Sequence, residues 1–121
     1  EAKQDYVAAN PDIVQRFVDA SIVGWYNYLY GDNTAANELI KKDNPEMTDG
    51  QIAFSIAQMK EYGIVDSGDA ETGGIGCMTD ARVRSFYDKM VKADVVKAGL
   101  DISKTYTTQF VCKGVGKELK K

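Results

Sequence analysis

Apolar residues recur at three- and four-residue steps along four stretches of this chain, and no run alternates for long enough to suggest a strand series. The longest stretch places Val14, Phe17, Val18, Ile22, Trp25 and Leu29 on one stripe. Asn10 can cap its start, Pro11 suits the first helical position, and Asp12 complements the positive end of the helix dipole. Gly31 supplies the stop, so the pattern predicts a helix over residues 11–30. The preceding stretch Gln4–Ala9 is short, with Tyr6 and Val7 as its only large apolar residues.

A second helix is expected over 34–42, capped by Asp32 or Asn33, with Ala35, Ala36, Leu39 and Ile40 along it. It ends at Asp43-Asn44-Pro45, because the residue before proline avoids helical backbone. Thr48-Asp49-Gly50-Gln51 matches a capping box and opens a third helix that runs to Tyr62, buries Ile52, Ile56 and Met59, and stops at Gly63. Thr79 caps a fourth, with Val83, Phe86, Tyr87, Met90 and Val91 on one face. Asp101-Ile102-Ser103 reads as one helical turn, while 106–111 is either extended or irregular. The fold class expected is mainly α, with four to five helices in one segment spanning 1–121.

Composition narrows the chemistry. Leu, Ile, Val and Phe make up 27 of the 121 residues, enough for one modest core. Histidine is absent, which removes Ser-His-Asp and Cys-His nucleophile systems and every histidine-containing zinc site. A net charge of −3 argues against a nucleic-acid partner. Lys113, Lys117, Lys120 and Lys121 form the one locally basic run, read as a solvated tail. No apolar run reaches the ~18 residues of a membrane span. The chain opens on neither Met nor a leader pattern, so a processed, truncated or engineered N-terminus is expected.

Two stretches invite a site. The segment 64–78 carries four glycines and the acids Asp66, Asp69 and Glu71. A calcium loop begun at Asp66 would put Gly68, Ala70 and Glu71 where oxygen ligands and the turn glycine belong, so the match fails and a solvated acidic loop is expected. Gly74-Ile75-Gly76-Cys77-Met78-Thr79 is too incomplete for a dinucleotide fingerprint. It is a glycine turn leading into a helix N-terminus, able to offer backbone N–H groups to a carboxylate, sulfonate or phosphate, or merely to position that helix. The aromatic run Trp25–Tyr30 could stack a ligand, but core packing is the favoured reading. No catalytic pair, metal set or cofactor site is identifiable.

Cys77 and Cys112 permit one disulfide without demanding it. Closing the intervening loop would stabilise the fold by roughly 3–4 kcal/mol. Two small semi-buried thiols are the favoured reading, since free cysteine commonly packs as a small hydrophobe.

Several runs together resemble the C-terminal part of solute-binding proteins of ABC importers, of the sulfonate, nitrate, taurine and thiamine-pyrimidine-precursor type. They are Asn10–Ser21, Gly24-Trp25-Tyr26, Tyr28–Gly31, Asp43–Thr48, Met59–Asp69, Gly74–Arg82 and Tyr106–Val111, so the resemblance covers residues 5–116. It implies a parent of two α/β lobes hinged around a small-molecule cleft, a type II periplasmic binding protein, of which this chain is a helical part of one lobe. It further implies a periplasmic or exported location, an anionic or pyrimidine-like ligand, an ABC permease as partner, and transport without catalysis. Gly74, Gly76, Cys77 and Met78 are the ligand-binding candidates, resting on the anion-turn argument. Cys77 stands where a small residue such as Ala is expected, which leaves open a pairing with Cys112 in an oxidising periplasm. The alternatives are a pyrimidine-precursor synthesis enzyme of the same fold, whose histidine-containing active region has no counterpart here, and a free-standing helical interaction domain prone to self-association.

Overall fold

Asn10 closes one helix as the next begins. Its backbone and side-chain N–H groups both donate to the Tyr6 carbonyl, at 2.9 and 3.1 Å, so it caps the C-terminus of α1 (Gln4–Ala9). It therefore gives no side-chain cap to α2 (Pro11–Tyr30), contrary to expectation. The computed structural model describes all 121 residues, and four further helices follow: α3 (Thr34–Asp43), α4 (Asp49–Glu61), α5 (Asp69–Gly73) and α6 (Asp80–Lys92). Two 3-10 turns, Ile102–Lys104 and Lys117–Leu119, complete a strandless, mainly α fold.

The capping chemistry legible in the sequence sets most boundaries. Thr48 Oγ1 accepts from the Gln51 N–H at 3.3 Å while Gln51 Oε1 accepts from the Thr48 N–H at 2.9 Å, the reciprocal box that starts α4. At its other end Gly63, with φ of 57°, lets its N–H reach the Lys60 carbonyl and the Ile64 N–H reach that of Met59, at 3.3 and 3.0 Å. Thr79 Oγ1 accepts from the Arg82 N–H at 3.2 Å and begins α6. Asp32, rather than Asn33, supplies a bond at the start of α3, accepting from the Thr34 N–H at 3.0 Å. The α5 turn lies inside the segment read as a loop, and Gln4–Ala9 forms a helix that its few apolar residues did not announce.

The core is small and sits on α2. Ile22, Tyr26 and Leu29 are buried together with Ile75, and Val18, Met59, Val65 and Val115 pack around them. Phe17 and Trp25, expected on the same stripe, are not in it. Phe17 stands five positions before Ile22, about 140° round the helix, and is 73% exposed. Trp25 lies at the edge of the stripe and sets its ring edge-on to Tyr28, with centroids 6.1 Å apart. On α4, Ile52 is buried and Ile56 and Met59 are half-buried, as expected. On α6 the expected face is half-buried except for Phe86, which is exposed.

The chain's far end returns to α2. Gln15 Nε2 donates to the Phe110 carbonyl at 3.0 Å, and the turn Lys117–Leu119 packs along α2. Gly116 is buried there with φ of 73°; a Cβ on it would lie 2.9 Å from the Tyr26 ring. This return brings the terminal lysines onto the folded body.

Candidate functional site

Asp66 is the one charged side chain in the interior, and it organises the site. It follows Gly63 and the turn that ends α4, a geometry that aims its carboxylate back toward the end of α2. The Tyr30 hydroxyl donates to Asp66 Oδ2. Lys120 Nζ reaches the same oxygen at 2.7 Å, from the C-terminal segment. Lys120 also stands 5.6 Å from the centre of the Tyr30 ring, and Lys60 of α4 stands 5.2 Å from it. The ring is thus flanked by two ammonium groups, an arrangement its π-face quadrupole favours.

These groups edge an open cleft of about 530 Å³, whose wall also includes Glu61, Tyr62, Ser67 and Glu71. Lys120 is committed to Asp66, whereas Lys60 makes no ion pair and faces the cleft. Glu71, at the surface, caps the start of α5, its Oε1 accepting from the Gly68 N–H at 3.3 Å.

The charges reinforce one another. Burial works to raise the Asp66 carboxyl, but the Lys120 ammonium and the Tyr30 hydroxyl overcome it and hold the group below the usual carboxylate range. Burial raises the Tyr30 phenol, and the hydrogen bond and charge of Asp66 raise it further. The hydrogen bond to Asp66 raises Lys120. All three groups move away from neutrality, so at pH 7 they form a fixed carboxylate–phenol–ammonium set that presents charge and hydrogen bonds.

The sign of the resulting pH dependence follows from these directions. Asp66 has its folded value depressed, so its contribution is present above the ordinary ~3.9 and is lost as pH falls through the folded value. Lys120 and Tyr30 have theirs raised, so their contributions are present below about 10 and are lost as pH climbs through the folded values. Urea midpoints measured across pH should form a plateau that falls at both ends. Asp66→Asn should lower the plateau and flatten both limbs relative to wild type; limbs of unchanged steepness would place the dependence elsewhere.

Of the four expected ligand residues, Gly74 and Cys77 have their N–H groups engaged within the protein. Gly74 is buried with φ of 87°, and its N–H donates to the Ala70 carbonyl at 2.9 Å. The Ile75 N–H donates to Tyr26 Oη at 3.2 Å, and that of Cys77 to the Gly74 carbonyl at 3.0 Å. Three N–H groups of the glycine turn are therefore spent inside the protein, which is the helix-positioning alternative. Gly76, with φ of 79°, sits over Ile22. The Met78 carbonyl faces Cys112 Sγ at 3.5 Å.

Cys77 and Cys112 are joined in a disulfide, overturning the favoured reading of two thiols. Gly73 makes the approach possible, since a Cβ on it would lie 2.8 Å from Cys77 Cβ and 3.2 Å from Cys112 Cα. The acidic loop is likewise not simply solvated. Asp66 is interior, Asp69 pairs with Arg82 at 3.2 Å, and no group of acids or cysteines converges as a metal site.

Nor is the basic run a free tail. Lys117 Nζ donates to the Glu71 and Thr72 carbonyls at 3.1 and 2.9 Å, at the exposed end of α5. Tyr30, Lys60 and Lys120 were not legible as site residues, because Asp66 and Lys120 meet only through the chain's return. Comparison with family models, curated proteins and solved structures finds no match to this chain.

Proposed function

We propose that this chain is a helical part of one lobe of a two-lobed solute-binding protein, which takes a small anionic or pyrimidine-like ligand by lobe closure and presents it to an ABC permease without altering it. The observation that carries the reading is the number of bulky apolar side chains the helices leave uncovered. Phe17, Phe54, Phe86, Leu39 and Ile64 are each exposed to 60% or more, although they lie on or beside regular helices. Single exposed apolar residues are ordinary, but bulky ones on α2, α3, α4 and α6 together suit helices that pack against further chain. The motif runs that resemble this family span the same helices.

The Tyr30–Asp66–Lys120 set supports binding. Its groups are held charged or protonated near neutral pH, and Lys60 is left to meet an anion at the cleft. Exported location and a permease partner belong to the same proposal.

Sequencing the source gene supplies the first test, with a product of roughly 300 residues carrying two sheet-bearing lobes expected from the size of such folds. Thermal-shift screening of that product against sulfonates, nitrate and pyrimidines should then raise its melting temperature with one class. A product with no sheet-forming lobes, or one that shifts with none of these ligands while self-associating through the exposed phenylalanines, would replace this reading with a helical interaction domain.

A further inference from the structure

The last ten residues form a strap over the folded body, and its fastenings differ in kind. Cys112 bonds covalently to Cys77. Beyond it, the Gly114 N–H donates to the Gly73 carbonyl at 3.0 Å, Lys117 reaches the end of α5, and Gly116 lies against Tyr26. Lys120 then closes on Asp66 at 2.7 Å with its side chain half-exposed. Apart from the disulfide, these are hydrogen bonds, with Lys113 Nζ to Gln15 Oε1 a further one, the packing of Val115 and Gly116 on the core around Tyr26, and a solvent-accessible ion pair; the polar fastenings are individually weak.

The covalent fastening lies at the surface and under backbone strain. Cys112 is exposed and Cys77 half-buried, so a reductant meets Cys112 from solvent. Cys112 also has φ of 61°, a left-handed conformation that side chains other than glycine rarely adopt. The sulfur bond is the one covalent hold on this residue, and cutting it would leave the backbone free to relax to an ordinary φ and draw the strap away from the glycine turn.

We propose that the Cys77–Cys112 disulfide is a redox latch on the charged cleft: its reduction by a dithiol frees the strap 112–121 and withdraws Lys120 from Asp66. A thiolate of the dithiol attacks Cys112 Sγ, forming a mixed disulfide and expelling the Cys77 thiolate, which takes up a proton. The second thiol of the reagent then displaces Cys112, which is protonated in turn. Two electrons and two protons pass to the protein, and the reagent leaves as its own disulfide. Asp66 is left with only the Tyr30 hydroxyl, and the cleft loses one of its two ammonium groups. This inference concerns the cleft's geometry and does not depend on which ligand, if any, occupies it.

Lysine footprinting tests it. The protein is reduced with dithiothreitol without denaturant, two free thiols are verified by iodoacetamide mass shift, and brief acetylation is read by peptide mass spectrometry. Surface ion pairs have strengths that correspond to at most about a fivefold change, so Lys120, and Lys117 once it leaves the Glu71 and Thr72 carbonyls, should acetylate about two- to fivefold faster. Lys42 and Lys89, exposed on α3 and α6, serve as references and should change less than twofold. The far-UV circular dichroism should keep its helical form, and re-oxidation with glutathione disulfide should restore the original rates. The Cys77→Ser/Cys112→Ser variant should reproduce the reduced pattern; should it fail to fold, the reduced wild type still decides. Full reduction with unchanged Lys117 and Lys120 rates would overturn the proposal. So would loss of helicity with all four lysines accelerating together, which would make the bond a general brace.

Discussion

Gly116→Ala is expected to lower the free energy of unfolding by about 2–5 kcal/mol, summing ~1–2 kcal/mol for left-handed backbone and ~1–3 kcal/mol for overpacking. Gly116 is buried with φ of 73°, and the new Cβ would stand 2.9 Å from Tyr26 Cδ2 and 3.6 Å from Val23 Cα. Tyr26 has little freedom to yield, because its ring is in the core and its hydroxyl accepts from the Ile75 N–H. The strap must lift instead, so the variant should also lose the Lys120–Asp66 pair. Gly99→Ala is the matched control: its φ is 87°, yet nothing lies within 4 Å of the added carbon. It should show only the backbone cost. Urea unfolding followed by Trp25 fluorescence measures both, and equal losses in the two variants would eliminate the Tyr26 clash as a cause.

Leu29→Ala carries the other large effect, about 3–4 kcal/mol within the range for buried leucine. Leu29 is only 2% exposed and sits between Ile22, Tyr26 and Ile75, with Met59, Val65 and Val115 around them. Eleven of 121 residues are buried, so one cavity removes a large share of what the core supplies. Phe17→Ala removes a larger side chain from the same helix and should change stability by less than about 0.5 kcal/mol, as exposed positions do. The two variants compared by thermal unfolding separate the inward face of α2 from its outward face. A Phe17 loss as large as that of Leu29 would contradict the assignment of faces.

That comparison also marks what the sequence could and could not disclose. The extents of α2, α3 and α4 and the start of α6 are readable because local chemistry sets them: Pro11 and Gly31 bracket α2, the Thr48–Gln51 box opens α4, and Thr79 opens α6. Chaining three- and four-residue steps let the stripe drift to Phe17, about 140° round the helix from Ile22, and passed over Tyr26, which lies only about 40° from it and is buried. Asn10 was read for the helix after it and serves the helix before it, a choice made by α1, whose formation the residues hardly signal.

The site was almost wholly hidden. Asp66 looks like any acid in a glycine-rich loop, and Lys120 like any lysine in a basic ending. Their ion pair exists because Cys112, Gly114 and Gly116 steer the chain back across α5 and α2. The glycine turn was visible, but its N–H groups are spent on Ala70, Gly74 and Tyr26, partners that periodicity does not reveal.

The return of the strap to α2 has a kinetic side. Gln15 and the Phe110 carbonyl that it binds are 95 residues apart, and Gly116 packs on Tyr26 across a similar span. Helix α2 can form early from its own sequence, but its core face, covered in part by Ile75, Met59 and Val65, is not closed until Val115 and Gly116 arrive. Closing so long a loop costs entropy before any of the contacts it brings can compensate, and such contacts slow the folding of a helical protein. For this chain the docking of its final residues is therefore expected to be the slow event, and a nascent chain lacking them would leave Tyr26 open on the side that Val115 and Gly116 cover.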